Sequence, residues 1–245
     1  MKTVANRLNK SSDYYLHFNY IRAFLNLNAF SIFLNNFSMG GKMFQIVAAT
    51  KNKHKLEEYK KMLEGQNADI LSLIDFPDCP ETIEDGKTFE ENAIKKAIEA
   101  SACTNLPAFA DDSGLEVEAL NGAPGIYSAR YAGENATNDQ RIAKLLSELK
   151  GASNRKARFV CVIAIANEGE IIETFRGEVQ GNIIEETRGA NGFGYDPVFI
   201  PDGYDKTFAE LSAEIKNKIS HRARATRKAL DFIETDFNTI EGFNG

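Results

Sequence analysis

Pro107–Tyr131 reads PAFADDSGLEVEALNGAPGIYSARY, and the rest of the chain is best understood outward from it. At its centre Asp111, Asp112, Ser113 and Gly114 lie between two apolar runs, which predicts an acidic pair presented at a turn. Asp and Gly are also ordinary hairpin residues, so these four positions alone do not separate a site from a plain turn. A second Gly-rich turn comes next at Gly122, Ala123, Pro124 and Gly125. Tyr127, Ser128, Arg130 and Tyr131 then bring polar groups into a short space.

Upstream, Phe44–Thr50 (FQIVAAT) is a short apolar run with strand character, and it leads into Thr50, Lys51, Asn52, Lys53, His54 and Lys55. Leu56, Tyr59 and Leu63 then recur at helical spacing, with Asn52 available as N-cap. A strand, a polar loop and a helix start in that order present unpaired backbone N–H groups and the positive end of a helix dipole, to which three lysines add charge. The arrangement suits a phosphate, while a solvated lysine run at a helix start is the plainer reading. It is not a P-loop, because the GxxxxGK[ST] spacing is missing. Asp69–Ile74 predicts a second strand. Thr88 and Glu91 predict a capping box for a helix whose apolar face is Ala93, Ile94, Ala97 and Ile98 and which ends near Asn105. Glu84 falls just ahead of that helix, where an acid is ordinarily a dipole partner and gains other meaning only from its company.

Downstream, Thr137 and Gln140 form another capping box, and Ile142, Leu145, Leu146 and Leu149 give the buried face of a helix closed by Gly151. Ala157–Ala166 is an apolar β-rich run. Glu170–Glu178 and Gln180–Glu185 read as paired strands around Gly177 or Gly181. Helices and strands intermixed with hairpins predict an α/β fold, a mixed sheet flanked by helices. Phe193, Gly194, Tyr195, Asp196 and Pro197 set two aromatics and an acid around a Gly, and Lys216, Ser220, His221 and Arg222 gather donors at the start of a helix running through Leu230 and Ile233. An aromatic plane beside clustered donors is what a purine with carbonyl edges requires. His221 alone is as readily a cap or surface residue.

The chain has 245 residues, 43% hydrophobic and 26% charged, which suits one large or two modest globular domains with a core. Its formal charge of −6 is uneven: residues 1–42 hold one acid, Asp13, against Lys2, Arg7, Lys10, Arg22 and Lys42, so the remainder carries −10. An acidic body argues against a polynucleotide track, which needs a broad basic face. Cys79, Cys103 and Cys161 form no CxxC pair and are too few for a disulfide framework, which points to a reducing compartment. Residues 1–42 differ in character from the body of the chain: they hold seven Asn, and their longest apolar run, Ala23–Phe37, is interrupted by four of them. That is no membrane span, which needs about 20 mostly apolar residues. The stretch reads as a dispensable, poorly ordered extension or a mis-set start, with Met39 or Met43 as alternative beginnings and a targeting segment as the other reading.

TKNKHK (Thr50–Lys55), the Glu84–Phe89 segment, ADDSGLEVEAL with GAPGIYSARYAG, GFGYDP and KNKISHR ending at Arg222 together resemble the motif series of the inosine/xanthosine triphosphate pyrophosphatases, in order, from about Phe44 to about Ile233. The resemblance implies Mg²⁺-dependent hydrolysis of deaminated purine nucleoside triphosphates to the monophosphate and pyrophosphate. It implies Asp112 as general base and Mg²⁺ ligand, with Glu84 as the second acidic metal ligand. Thr50, Asn52 and Lys55 match the phosphate-binding motif, within a loop that also holds Lys51, Lys53 and His54. Ser113 matches a further substrate contact. Phe193, Gly194, Tyr195 and Asp196 match the nucleotide-binding segment, and Lys216, His221 and Arg222 complete the pocket. Also implied are an elongated mixed sheet with two lobes and a central cleft, a single domain over residues 43–240 and a homodimer, while the acidic body and the cysteine usage point to a cytoplasmic setting without membrane or polynucleotide partners. A pyrophosphatase of modified pyrimidine nucleotides and a non-catalytic purine nucleotide sensor are the rivals. The retained acids speak against the sensor, because a pure polyanion binder gains little from bare carboxylates unless a metal is recruited.

Overall fold

The computed structural model describes residues 44–65 and 68–241, and the side chains of Phe44 and of residues 234–241 are not described. The expectations placed on residues 1–42 therefore lie outside the described residues. Six strands form one mixed sheet in the order β2-β1-β3-β4-β5-β6. They are β1 (Phe44–Ala48), β2 (Ala68–Ser72), β3 (Ala108–Val117), β4 (Lys156–Asn167), β5 (Glu170–Ile183) and β6 (Phe199–Pro201). The pairs β1–β2 and β1–β3 are parallel, and every pair from β3 onward is antiparallel. The helices are α1 (Lys53–Met62), α2 (Phe89–Thr104), α3 (Asn138–Glu148), α4 (Ala213–Ile219) and α5 (His221–Glu241).

Local chemistry sets the helix ends. The Asn52 side chain accepts from the backbone N–H groups of His54 and Lys55, Thr88 from Glu91, and Thr137 from Gln140 in a complete capping box. At Thr88 the box is only half made, because the Glu91 carboxylate accepts from Lys87 N–H instead. The second helix ends at Asn105 in a left-handed conformation, φ 52°.

Packing sets the sheet. Nearly every residue of β4 is buried, as expected of a strand covered on both faces. The small residues of α2, Ala93, Ala97 and Ala100, pack with Val160, Val162 and Ala164. On the other face Ala225, Ala229 and Ile233 of α5 join Cys161, Ile163 and Phe175. A third cluster places Ile142 and Leu145 of α3, and Leu149 at its C-terminal cap, against Leu115, Phe159, Phe199 and Phe208.

Four expectations are corrected. Asp111–Gly114 is not a turn but the middle of β3, with Asp111 opposite Ile163 and Asp112 opposite Val162; the long register with β4 outweighs the local turn preference of Asp and Gly. The two strands expected about Gly177 or Gly181 are one continuous strand, β5. A Cβ at Gly177 would collide with the carbonyl of His221 and the amide of Ala225, and one at Gly181 with the carbonyl of Ile200, so these glycines permit close approach. Cys79 and Cys103, expected to be thiols, form a disulfide across 24 positions of sequence, because the loop after β2 folds back onto the last turn of α2. The strand expected over Asp69–Ile74 stops at Ser72, where Asp75 Oδ2 accepts from the Ser72 N–H at 2.8 Å. No described helix is long and apolar enough to cross a membrane.

Candidate active site

Adjacent residues of a strand point to opposite faces, and this separates the acidic pair. Asp111 reaches the α1 and α5 side, where its Oδ2 pairs with Lys55 at 3.0 Å and Arg222 at 3.0 Å. Asp112 reaches the α2 side, where its Oδ1 pairs with Lys96 at 3.1 Å and its Oδ2 accepts from Asn92 Nδ2 at 3.1 Å. Lys96 Nζ also meets Glu84 Oε1 at 2.8 Å, so one buried ammonium joins Glu84 to Asp112. Arg130 approaches Glu84 Oε2 at 3.6 Å.

Surroundings give the two aspartates opposite electrostatics. Burial raises the Asp111 carboxyl, but the charges of Lys55, Arg222 and Lys96 overcome it and hold the group well below the usual carboxylate range. For Asp112 burial prevails: Lys96 lowers the pKa, the neighbouring Glu84 charge raises it, and the result lies above the ordinary value. Lys96, though buried, stays an ammonium because Asp112 and Glu84 outweigh its desolvation.

A cavity of about 460 Å³ is lined by Thr50, Lys51, Asn52, His54 and Lys55, by Glu84, Asp111, Asp112 and Ser113, and by Phe193, Gly194, Tyr195, Asp196, Lys216, His221 and Arg222. Of the sixteen sequence-predicted site residues only Lys53 is absent from this lining; it is exposed at the start of α1. Two of the backbone N–H groups expected to be free at that helix start, those of His54 and Lys55, are taken by the Asn52 side chain. The Thr50 hydroxyl accepts from Asn52 N–H at 3.1 Å. Loop charge therefore resides in the lysines, of which Lys55 is held by Asp111.

The expected aromatic plane is the ring of Phe193 rather than that of Tyr195. Phe193 stacks on His54 at 5.5 Å, with Lys216 Nζ 4.9 Å and Arg222 Cζ 5.7 Å from its centroid. Tyr195 is 4% exposed, and its hydroxyl donates to the Ser128 carbonyl at 3.0 Å. Asp196 is fully engaged, pairing with Lys216 at 2.7 Å and accepting from Phe193 N–H at 2.8 Å. Arg222 is braced: Nη1 donates to Glu58 at 2.5 Å, and Nη2 to Asp111 and, at 3.1 Å, to the Ser113 hydroxyl. His221 stacks on Phe159 at 4.8 Å, and its buried Nδ1 has no hydrogen-bond partner among the described residues. Burial, followed by the charges of Arg222 and Lys216, holds it well below its usual pKa, so it is a neutral imidazole.

Sequence reasoning passed over Asp111 as a charge hub, and also Glu58, Lys96 and Asn92. Asn92 and Lys96 did carry a signal, since both fall on the buried stripe of α2 with Phe89, Ala93, Ala97 and Ala100, and a buried lysine requires a partner. Glu58, which meets Lys216 at 2.8 Å across 158 positions, carried none.

Could these donors take a metal? Among the described residues no group of three or more His, Cys, Asp or Glu is arranged to hold one. Two carboxylates converging on one ammonium at the cavity wall nevertheless fit a hard divalent ion, because Mg²⁺ is commonly held by one or two carboxylates together with substrate phosphates and water.

Cations and hard carboxylates lining one cavity of an α/β sheet define a protein built to hold a phosphate-bearing anion. The chain belongs to the Ham1 family, whose model matches residues 46–232. It is 54% identical over 180 residues to the dITP/XTP pyrophosphatase of Desulfotalea psychrophila, covering 74% of this chain and 81% of that one. It is 54% identical over 185 residues to the dITP/XTP pyrophosphatase of Geobacter sulfurreducens, covering 75% and 93%. Among solved structures, the Staphylococcus aureus Ham1 protein superposes with a TM-score of 0.71 at 44% identity, covering 78% of this chain and 99% of that one. The nucleoside-triphosphatase, or dITP/XTP pyrophosphatase, of Mycobacterium abscessus gives 0.62 at 41%, covering 76% and 98%.

Proposed function

We infer that the protein is a dITP/XTP pyrophosphatase, hydrolysing deaminated purine nucleoside triphosphates to the monophosphate and pyrophosphate and so cleansing the nucleotide pool. The observation that carries this reading is the single cavity onto which the lysine loop, the acids of β3 and the Phe193–Arg222 segments all open.

Within it, Lys51 and Lys55 hold the polyphosphate, with Thr50 and Asn52 shaping the loop around it. Glu84 and Asp112 would hold Mg²⁺, which supplies charge neutralisation of the triphosphate and polarisation of the attacking water. Asp112 is placed to take the proton from a water attacking in line, and the lysines stabilise the departing pyrophosphate, so no covalent intermediate is needed. Lys96 and Asn92 fix the Asp112 carboxylate in place. At the other end Phe193 offers a ring face, and His221 and Lys216 offer polar groups to the purine edge. Arg222 and Ser113 act through the Asp111 hub rather than as free donors. Inosine and xanthosine present O6 as an acceptor where adenine presents an amino donor, and discrimination built on such a pairing reaches about 10⁴ to 10⁵ fold.

In this reading the two ends of the sheet act as lobes around the cleft, the working form is a homodimer, and the setting is cytoplasmic. Pyrophosphate release from ITP, XTP, dITP, ATP, GTP and a modified dUTP, with and without Mg²⁺, tests it. Mg²⁺-dependent release from the first three is expected. Preference for the pyrimidine, or tight binding without release, would transfer the assignment to one of the rivals.

A further inference from the structure

Cys79 and Cys103 differ in their surroundings although they are bonded to each other. Cys79 is 6% exposed among Phe89, Ala93, Ala97 and Ala100, whereas Cys103 on the last turn of α2 is exposed. The segment between Cys79 and Gly86 carries Glu84, and α2 anchors it at both ends. One anchor is the disulfide. The other is the Gly86 N–H, which donates to Asn92 Oδ1 at 2.8 Å. Between them Ile83 is 73% exposed, so little apolar packing holds the middle of the segment, which is otherwise fixed by the ion pairs of Glu84 with Lys96 and Arg130 and of Asp85 with Lys95. Because Asn92 and Lys96 of the same helix also grip Asp112, the position of Glu84 relative to Asp112 depends on how firmly this segment is tied to α2.

We propose that Cys79–Cys103 is a reversible thiol–disulfide exchange site, at which a small or protein dithiol reductant loosens the Glu84 segment and weakens the hold of the acid pair on a divalent cation. The reductant's thiolate attacks the Sγ of Cys103, the more exposed residue of the pair, and the Cys79 sulfur departs with the bonding electron pair and takes a proton. The reductant's second thiol then attacks the mixed disulfide and releases Cys103 as a thiol. Two electrons have passed to the protein, and the reductant ends as a disulfide. A disulfide oxidant, such as oxidised glutathione, reverses the sequence. After reduction the Cys79 thiol stays packed in its apolar cluster, so the segment loses a covalent tether without the core opening. Cys161, 0% exposed, takes no part.

The consequence for cation binding rests on the metal-holding roles proposed for Glu84 and Asp112, and the exchange itself is read separately. The full chain is equilibrated with dithiothreitol or oxidised glutathione, denatured and alkylated, and alkylated thiols are counted by mass. One thiol is expected after oxidation and three after reduction; three after both treatments overturns the proposal. ITP hydrolysis against Mg²⁺ concentration is then measured on both forms and on Cys103→Ser. The reduced protein and the variant are expected to need at least about threefold more Mg²⁺ for half-maximal rate than the oxidised protein, the variant regardless of redox treatment. Identical Mg²⁺ curves for the two wild-type forms overturn the proposal. If neither form hydrolyses ITP, the functional reading fails instead, and hydrogen exchange over residues 80–86 decides the tether: faster exchange on reduction upholds it and unchanged exchange refutes it.

Discussion

Asp112→Asn removes a carboxylate while keeping the size of the side chain, so ITP turnover is expected to fall about 10² to 10⁴ fold with Mg²⁺-independent nucleotide binding little changed. Steady-state rates beside an equilibrium binding assay check this, and near-normal turnover would remove Asp112 from the mechanism. Lys55→Ala is expected to raise KM for the triphosphate more than it lowers kcat; unchanged values of both would refute its phosphate role. His221 gives a prediction about stability. Its folded-state pKa is depressed by burial and by the charges of Arg222 and Lys216, whereas in the unfolded chain it titrates near its usual 6.5. Below that value the unfolded chain binds a proton that the folded chain does not. The contribution is therefore intact above about pH 6.5 and is lost by up to about 1.4 kcal/mol per pH unit as the pH falls toward the folded-state pKa. Urea unfolding between pH 7 and 5 is expected to show a shallower decline for His221→Gln than for the wild type, and equal slopes would contradict the buried neutral state.

Two elements bring remote residues to the cavity. Helix α5 begins at His221 and lies so close to β5 that a Cβ at position 177 collides with its backbone. Gly177→Ala should therefore displace the start of α5, costing about 1 to 3 kcal/mol of stability and raising KM through His221 and Arg222; chemical denaturation and kinetics report the two effects. Helix α2 holds Asp112 through Asn92, which is 1% exposed. In Asn92→Ala, kcat is expected to fall about tenfold or more with KM changed far less, as for loss of an interaction made chiefly in the transition state. A parallel loss of melting temperature and KM would mark Asn92 as merely structural. These elements were unequally legible in the sequence. Asn52, Thr88 and Thr137 announced the starts of α1, α2 and α3 because a cap is made within a few residues of itself. The glycines of β5 read as turns because the helix and strand they accommodate are distant in sequence.

For the molecule as a whole, the family match begins at residue 46, so deleting residues 1–42 is expected to leave ITP hydrolysis within about twofold, which the same pyrophosphate assay measures. Apolar periodicity and capping residues are local quantities, and they sufficed for the α/β class and for most element positions, while the resemblance of the motif series pointed to fifteen of the residues that line the cavity. Tertiary structure alone decided how those residues act on one another. Arg222 meets Asp111 across 111 positions and Lys216 meets Glu58 across 158, contacts that exist only once α1, α4 and α5 have packed beside β3. Strand pairing turned the DD dipeptide from a turn into two acids on opposite faces, one neutralised by Lys55 and Arg222 and the other left with a raised pKa beside Glu84. Packing of the loop after β2 onto α2 likewise brought Cys79 to Cys103. A side chain's chemical type is written in the chain, but its ionisation and its partners depend on the burial and neighbours that packing supplies.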